Sequence, residues 1–326
     1  MKTLFKRSQY LRELKQLVRE NAADGMPLSI LDDAVFKAML TSDNDNSREA
    51  LRCLLGACIG REVCAARILN NDLVPAHLAG KSPRLDVHVT FNDGEVANLE
   101  MQISKHDDDL KARASIHAAM LLSGQSRRGS SYSDIKRVYQ IFFLNCVLFP
   151  HSCKVSRRYS YREAEEHDRL SELTEIIFYE MPKLEQKVAN ILSGATTMDS
   201  LPEDEKWCMY MKYRHEKHAE GLIEKLYRQE EGIMRAEQAV TGISKDYMKY
   251  ARKMAELKNS MDRAQELYSA KKRARAEGHA EGRADGHAEG EERKAIDIAR
   301  KMKSKGRPLA EIIEDTGLSA ETIERL

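Results

Sequence analysis

The chain has no two cysteines spaced C-x-x-C, no apolar run long enough to cross a bilayer, and almost no net charge. Each absence narrows what it can be. Six cysteines stand at 53, 58, 64, 146, 153 and 208, most of them among apolar residues. That spacing points to reduced, partly buried thiols rather than a zinc site or a disulfide framework. The missing membrane span, and an N-terminus without a signal-type apolar core, lead to the expectation of a cytoplasmic protein with no membrane partner. A formal net charge of +1, from 53 basic and 52 acidic residues, excludes bulk attraction to nucleic acid but leaves room for a local basic face. What is present is a 326-residue chain, 42% hydrophobic and 32% charged, enough for one sizeable core with accessory parts or for two domains.

Residues 1–25 are basic and polar and read as a short helix or a mobile arm. "SILDDAVFKAMLTS" reads as a helix with Ser29 or Asp33 as its cap and Val35, Phe36, Met39 and Leu40 on its apolar face. "REALRCLLGACIG" reads as a second helix that stops at Gly60. "EVCAARIL" is a candidate short strand. In 84–104, "RLDVHVTFNDGEVANLEMQIS", Leu85, Val87 and Val89 alternate with polar residues, Asp93-Gly94 signals a hairpin, and Val96 to Ile103 return as a strand. "DDDLKARASIHAAMLLSGQS" is a helix with acids in its first turn, and "VYQIFFLNCVLF" has the continuous apolar character of a strand covered on both faces. "ELTEIIFYE" adds another strand. The order is that of a compact α/β domain.

Glu100 and Gln102 share one face of the return strand, since side chains alternate. A two-residue turn would set Asp86 opposite Met101; a bulge or three-residue loop would set it opposite Glu100. Two converging carboxylates repel unless a cation lies between them, and hard oxygen ligands suit magnesium or manganese. Such an ion activates water and stabilises charge on a scissile phosphate. The same spacing also fits a solvated sheet face carrying ordinary acids.

These blocks in their order, "DDAVFKAML", "KSPRLDVHVT", "LEMQIS", a helix with Arg113, "YSDIKRVYQIFFL" and a tail ending "IIEDTGLSAETIERL", resemble the Rpn family of recombination-promoting nucleases, also described as transposases, in the PD-(D/E)XK nuclease superfamily. The resemblance implies an α/β fold: a PD-(D/E)XK restriction-endonuclease-like core with a mixed central sheet flanked by helices, plus an α-helical C-terminal extension. It implies a metal-dependent DNA endonuclease using Mg2+ or Mn2+. Asp86, Glu100 and the backbone carbonyl of Met101 would be metal ligands, and Gln102 would stand where the family pattern has lysine. Asp33 and Lys37 match a further block, as cap and phosphate contact or as plain surface charges. Arg113 would touch DNA or brace Glu100. His117 departs from the aromatic residue frequent at its position. The family's associations are recombination, mobile elements and defence against foreign DNA. The neutral Gln102 keeps open a catalytically silent fold that binds nucleic acid or a protein.

Basic residues cluster in "QSRRGSSYSDIKR" and in "KVSRRYSYR", where Tyr159 and Tyr161 interleave with arginines in a pattern suited to stacking on unpaired bases. Residues 203–292 lack proline, are dense in Lys, Arg, Glu and Ala, and read as long helices. Within them Gly278, Gly282, Gly286 and Gly290 recur every four residues, suiting either close helix contact or a hinge. The last segment reads as three short helices broken at Gly306 and Gly317, a packing or assembly cap with helix-turn-helix spacing. The expected division is 1–25 arm, 26–200 nuclease-like domain, 201–292 charged helices and 293–326 cap, with the C-terminal helices offering a homo-oligomer contact.

Overall fold

The structure is a computed structural model that describes residues 29–69, 87–102, 107–126, 131–243 and 289–326, with Gly129 and parts of 267–287. The N-terminal arm lies outside the described residues, as does Asp86. The chain divides into two compact units, Met1–Asn259 and Ser260–Leu326.

The first unit is built on a six-stranded sheet in the order β1-β2-β3-β4-β6-β5. The strands are β1 (Ala66–Ile68), β2 (Val87–Phe91), β3 (Glu95–Gln102), β4 (Val138–Leu144), β5 (Ser156–Tyr159) and β6 (Thr174–Glu180). β3, β4 and β6 run parallel, while β1, β2 and β5 pair antiparallel with their neighbours, so the sheet is mixed as expected. β4 is buried along its whole length because both faces are covered. β5 is the one strand the sequence did not announce. Its residues, Ser-Arg-Arg-Tyr, are polar because it is an edge strand with a single partner.

Alternation sorts the sheet into two unlike faces. Val87, Val89, Ala97, Leu99, Met101, Tyr139, Ile141, Phe143, Ile177 and Tyr179 point into one large apolar core. Helices α1 (Asp33–Thr41), α2 (Asp45–Ile59), α5 (Glu203–Tyr213), α6 (Glu220–Gln229) and α7 (Glu231–Thr241) contribute side chains to it. Phe36 meets Phe143 at 5.7 Å and Phe143 stacks on Tyr179 at 5.2 Å. Each such fully buried ring is worth about 1.5–3 kcal/mol of transfer free energy. The N-cap of α1 is Asp32, not Ser29 or Asp33; Ser29 instead accepts from the Leu31 amide at 3.2 Å. α2 begins at Asn44, whose side chain accepts from Ser47, and ends at Gly60 with φ 72°, the left-handed stop expected there.

Helices expected to lie beyond a boundary near residue 200 bring Trp207, Tyr210, Leu226, Ile233 and Val240 into this same core. They belong to the first of the two compact units, Met1–Asn259. The physical reason is that α6 and α7, although charged overall, carry an apolar stripe that only the sheet's neighbours can cover. Between these helices Glu237 is buried, with Arg214 donating Nε at 2.6 Å and Nη2 at 2.8 Å and the hydroxyls of Tyr210 and Tyr227 donating at 2.9 and 3.0 Å. Burial alone would raise this carboxyl, yet the Arg214 charge and the four donated bonds hold it below its ordinary value. Burial, reinforced by the Glu237 charge, pushes the Tyr210 and Tyr227 hydroxyls well above 10.

The opposite face of the sheet is covered by α3 (Asp107–Ser123). Leu110 and Ala114 pack on Phe142, Leu144 and Phe178, and Leu121 packs on Val96 and Val138. The spacing 110, 114, 117, 121 is one helical face. α4 (Glu185–Leu192) follows β6.

In the second unit residues 289–304 are helical, within α8, and are followed by α9 (Leu309–Thr316) and α10 (Ala320–Glu324). Gly306 and Gly317 take positive φ at the two breaks, and Ser319 caps α10 through the Thr322 amide. Ala299, Ile312 and Ile323 bury one another, with Ile313, Leu318 and Leu326 packed around them, as the spacing predicts. A Cβ added at Gly278, Gly282, Gly286 or Gly290 would meet nothing within 4 Å, so no described residue of this chain takes up the close approach that the repeat permits.

Candidate active site

Asn98, Glu100 and Gln102 lie at alternate positions of β3 and project to the α3 side. All three are buried. Buried polar groups must find partners, and these find one another. Glu100 Oε1 accepts from Asn98 Nδ2 at 2.8 Å and from Gln140 Nε2, on β4, at 3.1 Å. His117 Nδ1 on α3 sits 2.7 Å from the same oxygen. Asn98 also donates to Gln140 Oε1 at 3.1 Å, which fixes both amide orientations. Glu100 Oε2 faces Arg113 Nη2 at 3.5 Å, a long ion pair, and that nitrogen donates to Gln102 Oε1 at 2.9 Å. The Arg113 guanidinium lies 6.0 Å from the centre of the Phe142 ring. Arg113 and His117 are one turn apart, so a single helical face presents both to β3.

The hairpin register resolves the alternatives left by the turn. β2 and β3 pair from Phe91↔Glu95 to Val87↔Leu99, which makes Asn92-Asp93-Gly94 a three-residue loop. Asn92 and Gly94 take φ of 44° and 94°, backbone that Asn and Gly tolerate best. The Asn92 side chain accepts from the Cys64 amide at 2.9 Å and donates to the Glu62 carbonyl at 3.2 Å, tying the loop to the segment before β1. The last described pair stands one position before Asp86 and Glu100. On β3 the Gln102 carbonyl accepts from the Asn145 amide, on the β4 side. Successive carbonyls alternate across a strand, so that of Met101 faces the β2 side.

The donor chemistry suits a hard divalent cation. Carboxylate and amide oxygens converge on one face, and Asn98 Oδ1 is buried with no hydrogen-bond partner. The described residues bring one carboxylate to this cluster and hold no group of three His, Cys, Asp or Glu that could bind a metal ion.

Of the residues expected from the sequence, the structure brings together Glu100, Gln102 and Arg113. Asp33 and Lys37 stand on α1, whose apolar side packs on the opposite face of the sheet. Asn98, Gln140 and the contact made by His117 were not anticipated. The first two had a signal: Gln140 interrupts the apolar run of β4, and Asn98 shares the parity of Glu100 and Gln102 on β3. A cleft of about 710 Å3 opens away from this cluster, lined by Arg52, Arg61, Arg158, Asp204 and Trp207 among others. Its arginines are already engaged, Arg52 with Glu49, Arg61 with Glu95 and Arg158 with Glu175.

A family model described as PD-(D/E)XK nuclease family transposase matches residues 30–270. No curated protein and no solved structure matches the chain.

Proposed function

The chain belongs to the PD-(D/E)XK nuclease family transposases, and on that premise we propose that it is a metal-dependent DNA endonuclease whose chemistry runs on the α3 side of β3. The observation that carries this reading is the state of Glu100. Its Oε1 is held by three side chains, while among the described residues its Oε2 faces only the long contact with Arg113. A carboxylate fixed by one oxygen and presented by the other is suited to ligation.

In this proposal Asp86, Glu100 and the Met101 carbonyl hold Mg2+ or Mn2+. When bound, such an ion lowers the pKa of a coordinated water and offsets charge on the phosphate. Asn98, Gln140 and His117 position Glu100. Gln102 is neutral and cannot supply the charge of the lysine in the family pattern; the adjacent Arg113 guanidinium supplies it instead, oriented by the bond to Gln102 Oε1. Arg113 is itself half-exposed, so a phosphate can reach it. Asp33 and Lys37 are assigned supporting roles at most. The link to recombination, mobile elements or foreign DNA rests on the family.

A second reading is favoured by the single carboxylate among the described residues: a silent nuclease fold that binds DNA or a protein. One assay separates the two. Supercoiled plasmid is incubated with the full chain in Mg2+, Mn2+ or EDTA, beside Asp86→Ala and Glu100→Ala. An endonuclease nicks the plasmid only with metal, and either variant loses at least about a thousandfold of that rate, roughly 4 kcal/mol in barrier. Absence of metal-dependent nicking by the wild-type chain favours the binding module.

A further inference from the structure

Edge strand β5 carries two arginines with opposite fates. Arg158 faces the large core side and is spent there, on Glu175 at 3.1 Å and on the Cys58 carbonyl at 2.5 Å. Arg157 faces the Glu100 side. Its cross-strand partner is Phe178, whose partner is Phe142, whose partner is Glu100, so the four form one row across the sheet. Three strand spacings of about 4.8 Å put Arg157 roughly 14 Å from Glu100.

The outer end of that row is aromatic and cationic. The Arg157 guanidinium lies 4.7 Å from the Phe149 ring centre and 5.7 Å from that of Tyr159, and its Nε donates to the Tyr159 hydroxyl at 3.0 Å. Lys111 Nζ, from α3, lies 5.3 Å over the other contact of the tier, Phe149. Tyr159 is 37% exposed and Lys111 is exposed. Neither Lys111 nor Arg157 forms an ion pair with a carboxylate of any described residue, unlike the arginines of the cleft on the other face. The tier is also rigid by construction. Buried Glu180 accepts from the Leu148 and Phe149 amides at 2.6 and 2.9 Å, and Lys183 ties Glu180 to the Phe149 carbonyl. Phe178 then braces both Phe149 and Tyr159 edge-on.

Unpaired cations beside exposed ring surface recognise a ligand that is both anionic and π-rich. We propose that this tier binds an unpaired DNA strand leading to the Glu100 cluster, with Tyr159 stacking on a base and Lys111 and Arg157 facing phosphates. The identification of the polymer as DNA rests on the nuclease reading above. Bases paired within a duplex keep their faces covered and leave Tyr159 without a partner. At 3.4 Å per nucleotide of a stacked strand, about 14 Å is some four nucleotides from the reacting phosphate.

The test is fluorescence anisotropy on the full chain in EDTA, where nothing is cut, with labelled oligothymidine and a blunt duplex as probes. The wild-type chain prefers oligothymidine. Tyr159→Leu weakens that binding by about 5- to 150-fold, and Tyr159→Phe, which keeps the ring, retains it. Lys111→Gln changes an exposed helical position, and it lowers the slope of log affinity against log salt by about 0.7. Equal binding by Tyr159→Leu and wild type, or preference for the blunt duplex, overturns the proposal. Plasmid nicking in Mg2+ by the same proteins keeps the two readings apart. Tyr159-dependent binding without any nicking leaves the strand platform standing and removes the nuclease; nicking with Tyr159-independent binding removes the platform alone.

Discussion

Glu237 and Glu100 are both buried carboxylates beside an arginine, and they are built for different ends. At Glu237 the arginine is itself buried, meets both carboxylate oxygens and is joined by two tyrosine hydroxyls. That carboxylate is satisfied on every side, as a structural ion pair must be to offset its desolvation. At Glu100 the donors crowd onto one oxygen, the arginine stands off at 3.5 Å, and Asn98 Oδ1 beside it is left without a partner. The lesson is that burial and charge do not mark a site. In the proposed reading, what marks it is a polar cluster whose bonding among the described residues is complete except in one direction.

Three experiments press on this contrast. Glu237→Ala should cost about 3–5 kcal/mol of stability, because it strands the buried Arg214 charge. Urea or thermal unfolding measures it, and a loss no greater than that of Glu100→Gln would erase the distinction. Arg113→Ala should leave unfolding nearly unchanged while slowing plasmid nicking by about a hundredfold, near 2.7 kcal/mol, if the guanidinium stands in for the absent lysine. An Arg113 variant that melts early but cuts normally would instead make this arginine a second Arg214. The smallest effect is in pH. The depressed Glu237 carboxyl contributes stability that is whole above its ordinary value of 4.5 and fades as pH falls below that through the folded-state value. Melting temperature against pH should therefore drop on the acid side for the wild-type chain and drop less steeply for Glu237→Gln.

Much of this was legible in the sequence, for identifiable reasons. Alternation at Val87 and Val89 and the unbroken apolar run of β4 announced the sheet, and the acids that open "DDDLKARASIHAAMLLSGQS" announced the helix over it. Glu100 and Gln102 could be placed on one face from parity alone. The register could not, because Asp93-Gly94 suits loops of two and three residues equally, and the choice rests on Asn92 reaching the segment before β1. Asn98, Gln140 and His117 come from three separate elements, and their meeting at one oxygen is a tertiary fact with no local trace. β5 was missed because an edge strand needs no apolar alternation, and residues 203–241 looked like an appendage because their charge outweighs a buried stripe that is narrow but continuous.

The three-residue loop at Asn92-Asp93-Gly94 has a reach far greater than its size. It acts as the reading frame of the hairpin: its length decides which side of β2 looks toward Glu100. A deletion that the hairpin met by drawing Phe91 into a three-residue loop would turn His88 into the oily layer and thrust Val87 and Val89 among the amides, inverting the strand without touching any residue of the cluster. Of its three letters Asp93 is the one open to change, since Asn92 and Gly94 hold positive φ and Asn92 anchors the loop.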